Sequence, residues 1–201
     1  MRLVAEKLSG ERGGETIFSD LDFVIAMGGA LLVTGPNGAG KSTLLRIIAG
    51  LLAPASGDVR LEDSGSFPDL QSACHYLGHQ NAMKPALSVR ENLAFWQAFN
   101  GEPRKDIDEA LETVGLDGID HLPFGYLSTG QKRRIAIAKL LVSHRPVWLL
   151  DEPTAGLDKV SEGRFAGLMQ GHLAEGGIVI AATHLPLGLE GAQELRMEGR
   201  G

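Results

Sequence analysis

Apolar positions along this chain switch between a two-residue and a helical period, and the switches define its elements. Arg2 to Lys7 and Thr16 to Ile25 read as strands, the second carrying Phe18, Leu21, Phe23 and Ile25. Ala30 to Thr34 is a continuous apolar run that empties into a glycine-rich loop, and Lys41 to Ala49 follows with helical spacing. Asp58 to Glu62 and Cys74 to Gly78 are shorter strand candidates. Ser88 with Glu91 three residues on forms a capping box, which predicts a helix through Phe99. A second helix is predicted from about Arg104 to Val114, stopped by Gly115. A third starts in LSTGQ (Leu127 to Gln131); it is nearly all apolar after Arg134, so it is expected to lie buried against a sheet. The strand VWLLD (Val147 to Asp151), a helix from about Lys159 to Glu175 and the strand GIVIAAT (Gly177 to Thr183) complete the pattern. Strand–helix–strand alternation at both ends predicts an α/β fold with a mostly parallel sheet. A helical lobe, about residues 88–144, is inserted within a single domain over 1–201.

Bulk composition narrows the class. A chain of 201 residues is one domain, or one domain with an inserted lobe, and long enough to bury a core. Its hydrophobic content of 43% and charged content of 22% are ordinary for a globular protein. A formal net charge of -6 argues against a general nucleic-acid binder. Cys74 is the single cysteine and has no internal partner for a disulfide, which fits a reducing cytoplasm. The N-terminal MRLVAEKLSGE lacks a signal-peptide apolar stretch. Runs such as IIAGLLAPA fall well short of the roughly 20 residues a bilayer span needs, so the chain is expected to be soluble by itself.

Three segments carry chemistry. In GPNGAGKST (Gly35, Pro36, Asn37, Gly38, Ala39, Gly40, Lys41, Ser42, Thr43), glycines bracket a loop between a buried strand and a helix. Such a loop wraps phosphate with backbone N–H groups at a helix N-terminus, and Lys41 reaches the β and γ phosphates. The Ser42 hydroxyl suits Mg²⁺, which prefers oxygen ligands. In VWLLDEPTAGLD, a buried strand delivers Asp151 to the sheet edge where parallel sheets bind ligands. Asp151 is expected to hold Mg²⁺, usually through water, and Glu152 beside it to polarise an attacking water. The third segment, LSTGQ, has no catalytic group but is a polar helix start with free N–H groups, the same device as the glycine loop.

GPNGAGKST, LSTGQ and LLDEPTAGLD, in that order, resemble the ATP-binding subunit of an ABC transporter over nearly the whole chain. The resemblance implies a P-loop NTPase core with N-terminal antiparallel strands and an inserted helical lobe, hydrolysing ATP with Mg²⁺. It maps Gln80 to the family's Q-loop glutamine, a further contact to the metal, and His184 to its switch histidine. It implies a head-to-tail homodimer in which Ser128, Gly130 and Gln131 of one subunit close over the ATP held by the other. It also implies integral-membrane transporter subunits as partners, no nucleic acid, and a peripheral place on the cytoplasmic face of the inner membrane. A departure falls at the base. Members often stack adenine on an aromatic residue after the first strand, and here that position is Arg12 or its neighbour in SGERGGET. Arg12 either stacks through its guanidinium plane or is simply solvated.

The stretch YLGHQNAMKPALSVRENLAFW, the compact length, the end soon after His184 and THLPL resemble the subgroup serving bacterial cytochrome c biogenesis, the haem-exporter ATP-binding subunit. That implies ATP hydrolysis coupled to haem delivery or export. The alternatives are a soluble family member acting on nucleic acid or ribosomes, and a transporter for another substrate. Remaining features are read as structural. His75, His79, His121, His144 and His172 show no metal-ligand pattern, and Cys74 is expected to be buried. Arg133 and Arg134 are expected to be surface charges flanking the LSTGQ helix. Val89, Leu93, Phe95, Trp96 and Phe99 form an apolar stripe expected to face the core, with some exposure as the other reading.

Overall fold

The computed structural model describes residues 1–198. The chain forms two compact units, one of residues 1–78, 146–153 and 169–198, the other of 79–145 and 154–168.

The first unit holds two sheets. Strands β1 (Arg2–Arg12), β2 (Glu15–Ala26) and β4 (Ser56–Glu62) pair antiparallel in the order β2-β1-β4. The β1–β2 hairpin runs further than its alternation predicts, closing on the Arg12–Glu15 pair through Gly13 and Gly14, both at positive φ. The second sheet contains β3 (Ala30–Thr34), β5 (Cys74–Leu77), β6 (Val147–Asp151), β7 (Ile178–Ala182) and β8 (Gln193–Arg196), all parallel, in the order β5-β6-β7-β3-β8. Every residue of β6 and β7 is buried, as continuous apolar runs in a parallel sheet require. Strand β8 was not predicted. QELR has no apolar alternation, and only pairing beside β3 makes it a strand. Helix α1 (Lys41–Ile48) buries Leu44, Leu45, Ile47 and Ile48 in a core shared with Leu3, Leu8, Val33 and Leu149. Trp148 stacks on the ring of His172 at 4.1 Å between centroids. Cys74 is half-buried rather than buried.

In the second unit, α2 (Val89–Asn100) starts on the Ser88–Glu91 capping box as predicted. Helix α3 begins at Ile107, three residues later than predicted, and ends at Thr113. The reason is tertiary: Pro103 bridges to Ser143, and the N–H groups of Arg104 and Lys105 bond to the carbonyls of Val142 and Leu141. These pairings hold residues 103–105 against the end of α4, and Asp106 becomes the cap, accepting from Glu109 N–H at 2.7 Å. Helix α4 (Thr129–Val142) is buried as expected, but within this unit it packs on α2 and α3, helices where a sheet was expected. Helix α5 (Lys159–Ala174) starts in this unit and ends in the first.

Two expectations fail here. Arg133 is buried, and Arg134 donates to the carbonyls of Val114 and Gly115 at the C-terminal end of α3, where cations are favoured. The aromatic stripe also divides. Val89 and Leu93 are buried, but Phe95 and Phe99 are 49% and 70% exposed and stack on each other. The five lie on one broad arc of α2, with Phe95 and Phe99 at the edge away from the buried Val89 and Leu93.

Lys139 on α4 is 4% exposed, with its ammonium 4.7 Å from the Trp96 ring centroid. Burial, with Arg133 adding repulsion, pushes it down to about 8. The folded state therefore bears the cost of a buried cation below that pH. The cost is relieved as pH rises from 8 toward the ordinary lysine value, because the unfolded chain then binds the extra proton. Lys139→Met is expected to stabilise the protein by about 1–3 kcal/mol near neutrality, the lost cation–π contact taking back part of the gain. The advantage should vanish above about pH 10. Thermal unfolding of both forms across this range measures it.

Candidate active site

Parallel strands point their carboxyl ends the same way, so residues far apart in sequence meet where β6, β7 and β3 lie side by side. The loop after β3 is Gly35 to Gly40. Its backbone needs glycine at Gly35, Gly38 and Gly40, with φ of 132°, 86° and 96°. A side chain at Gly35 would strike the Met197 carbonyl, and one at Gly40 would stand 2.6 Å from Ile17. Ala39 is buried and Asn37 exposed. Lys41 and Ser42 open α1, and Thr43 on the same turn is buried.

Lys41 is only 7% exposed, and its ammonium donates to the carbonyls of Gly35 (2.7 Å) and Pro36 (3.2 Å). It also lies 3.1 Å from His184 Nε2, just beyond β7. That nitrogen is 3.2 Å from Asn37 Oδ1 and 3.7 Å from Glu152. Glu152 follows β6 with φ of 44°, a left-handed conformation that costs a non-glycine residue of order 1 kcal/mol and concentrates at functional sites. Its N–H donates to the Ala182 carbonyl at 2.9 Å, which holds the turn. The side chains of Glu152 and His184 are 34% and 46% exposed, so solvent and ligand reach them.

Asp151 ends β6, 6% exposed, and accepts from the Ser42 hydroxyl at 3.0 Å. Its other oxygen lies 3.4 Å from the Tyr76 hydroxyl. Burial pushes the Tyr76 phenol up, a bond from Arg46 acts the other way, and the Asp151 carboxylate adds to the rise. Ser42 and Asp151 offer two hard oxygens at one point, a donor set that fits Mg²⁺ sharing its shell with phosphate and water. Among the described residues no three His, Cys, Asp or Glu cluster as an all-protein metal cage would.

Between the loop and β6 lies a cleft of about 580 Å³, open to solvent and lined by Arg12, Ile17, Asn37, Lys41, Asp151 and Glu152 among others. Arg12 thus lines the same cleft as the phosphate loop, with Ile17 as its apolar neighbour. Sequence reasoning had not singled out Ile17, Arg46 or Tyr76. A tyrosine two residues before Gly78 at a strand end was the available signal for the last.

The other expected residues belong to the second unit. Gln80 is exposed, two residues past Gly78. Ser128 caps α4 in a reciprocal capping box: its hydroxyl accepts from Gln131 N–H at 3.2 Å, and Gln131 Oε1 accepts from Ser128 N–H at 2.9 Å. Gly130 packs so tightly that a Cβ would come within 3.1 Å of the Gly156 carbonyl.

A buried strand, a phosphate loop at a helix N-terminus and an Asp–Glu pair at the end of β6, one strand removed from β3, define a P-loop ATPase. The family pattern of the ABC transporter matches residues 18–155, and the chain belongs to this family. The cytochrome c biogenesis ATP-binding export protein CcmA of Mesorhizobium japonicum is 71% identical over 198 residues, covering 98% of each chain. The protein of the same name in Brucella abortus is 70% identical over 192 residues, 96% of this chain and 89% of that one. A dimeric bacterial ABC transporter cassette shares the fold at a TM-score of 0.83 and 22% identity, covering 98% of this chain and 94% of that one. The chain is an ATP-binding, ATP-hydrolysing subunit of the export type.

Proposed function

We propose that this chain drives the haem-delivery or export step of c-type cytochrome biogenesis, as a pair of copies bound to integral-membrane subunits on the cytoplasmic face of the inner membrane. The observation that carries the reading is the meeting of Lys41, Ser42, Asp151, Glu152 and His184 at neighbouring strand ends. ATP enters the cleft with its base toward Arg12 and Ile17, and its phosphates take the Lys41 ammonium from the carbonyls that now hold it. Ser42 and Asp151, with Gln80 as the further expected ligand, would hold Mg²⁺, which would supply charge neutralisation for the β and γ phosphates. Glu152 Oε1 accepts hydrogen from the attacking water, and His184, already within 3.7 Å of that carboxylate, holds the γ-phosphate side of the site.

The second copy supplies Ser128, Gly130 and Gln131. Their helix start offers a hydroxyl and N–H groups to the γ-phosphate from the opposite side, and the two-fold arrangement makes two equivalent sites. ATP then favours the closed pair because both copies touch the γ-phosphate only when closed. The dimeric state of the related cassette and the shared export name of the close relatives favour this over a soluble member acting on nucleic acid. Among the described residues no helix is long and apolar enough to cross a membrane, which suits a peripheral subunit.

The test is to solubilise membranes in mild detergent and purify the tagged chain. Integral-membrane proteins are expected to copurify in fixed proportion, and deletion of the gene is expected to abolish haem-stained c-type cytochromes. Recovery with nucleic acid and no membrane protein, with cytochromes unchanged, would overturn the reading.

A further inference from the structure

The geometry points to Tyr76, given room by Gly78, as a positioning residue for the second oxygen of Asp151. The inference rests on the proposed assignment of Ser42 and Asp151 to Mg²⁺ and extends it to residues outside the phosphate loop and the acidic pair.

The placement follows from strand register. Tyr76 on β5 pairs with Leu149 on β6, and Asp151 lies two residues beyond Leu149. Side chains two apart share a face of a sheet, so the phenol and the carboxylate lie on one side, and the phenol leans along the strand to reach Asp151. Gly78, one residue past the end of β5, is two residues on from Tyr76. A Cβ there would stand 2.7 Å from Tyr76 Cε1 and 3.0 Å from its hydroxyl, so only glycine leaves the ring this path. Gly78 does not have the positive φ seen elsewhere in the chain, so the requirement is for space and not for backbone conformation.

The direction of each hydrogen bond is determined by chemistry. A carboxylate only accepts and a guanidinium only donates, whereas a phenol does both once its single proton is assigned. Tyr76 therefore donates to Asp151 Oδ2, at 3.4 Å, and the Arg46 guanidinium is the neighbouring cation. Ser42 donates to Oδ1 at 3.0 Å. Ser42 and Arg46 are four residues apart on α1, one turn, so both lie on one face of that helix. Asp151 is thus approached by a donor on each oxygen. When Ser42 turns its hydroxyl oxygen toward a cation it gives up its bond to Oδ1, and the Tyr76 donor keeps the carboxylate in the same plane. The contribution is pre-organisation: without it the carboxylate must be oriented at the moment the cation arrives.

The experiment compares affinity of the full-length chain for a methylanthraniloyl-ATP probe with Mg²⁺ and with EDTA, read by fluorescence. Tyr76→Phe is expected to reduce the Mg²⁺-dependent gain in affinity about tenfold, the scale of one hydrogen bond to a charged acceptor, with affinity in EDTA unchanged. Gly78→Ala keeps the tyrosine but displaces its ring, and is expected to give the same loss. Combining the two should add nothing, since both remove one interaction. An unchanged Mg²⁺ gain in Tyr76→Phe would overturn the inference, as would an equal loss with Mg²⁺ and EDTA, which marks a structural role only. Asp151→Asn separates the two levels. If it abolishes the gain while Tyr76→Phe does not, only this inference fails; if it too leaves the gain intact, the metal assignment fails and the inference with it.

Discussion

Glu152→Gln is expected to lower ATP turnover by roughly two to four orders of magnitude while ATP still binds. The amide keeps the shape of the side chain and its place 3.7 Å from His184, but it cannot accept a proton from water. Lys41, Ser42 and Asp151 are untouched, so the phosphates are still held. With hydrolysis stalled, the proposed pairing should keep the γ-phosphate between the loop of one copy and the Ser128–Gly130 helix start of the other. ATP should then convert the variant from monomer to dimer on a sizing column, and ADP should not. Adding Ser128→Arg should prevent the dimer. Ser128 is exposed and, among the described residues, its hydroxyl is engaged by the capping box alone, so the substitution disturbs little within its own chain. A bulky cation there cannot approach a glycine loop. A dimer that forms equally with ADP, or that survives Ser128→Arg, would defeat the cross-subunit role of LSTGQ.

Lys41→Ala should reduce turnover per ATP concentration by at least roughly 10²–10³, the cost of removing one preorganised cationic donor from a phosphoryl-transfer site. The ammonium already sits at the mouth of the loop, bonded to Gly35 and Pro36 carbonyls that cannot compete with a triphosphate for a charge. The Gly35 carbonyl loses this donor in the variant while that of Pro36 keeps the Ala39 N–H, so a small drop in thermal midpoint without nucleotide is expected as well. The decisive measurement is the rise in midpoint on adding ATP, present in the parent and absent in the variant. Turnover close to the parent would remove Lys41 from the phosphate cradle.

The parts of the protein written in local chemistry were legible. Ala30 to Thr34 and Val147 to Asp151 were bounded to the residue, because a short apolar run between glycines or at a carboxylate has one reading in an α/β chain. The capping box at Ser88 and the polar start in LSTGQ marked two helix starts, because both are local features of a few residues. The phosphate loop was legible because glycine spacing and a helix start are local requirements.

What lay beyond local sequence depended on partners far away along the chain. Strand β8 is polar and exists through its pairing with β3, some 160 residues upstream. Helix α3 starts late because residues 103–105 pair with the end of α4. Arg133 looked like a surface charge beside two other cations, yet the packing of α4 buries it. The same holds at the site. Sequence singled out a candidate phosphate loop and two candidate acids, but only the strand order β5-β6-β7-β3 brings His184 to Lys41 and the Tyr76 phenol to Asp151. Sheet order is set by burying whole apolar strands against one another, and that is a property of the assembled core, not of any one segment.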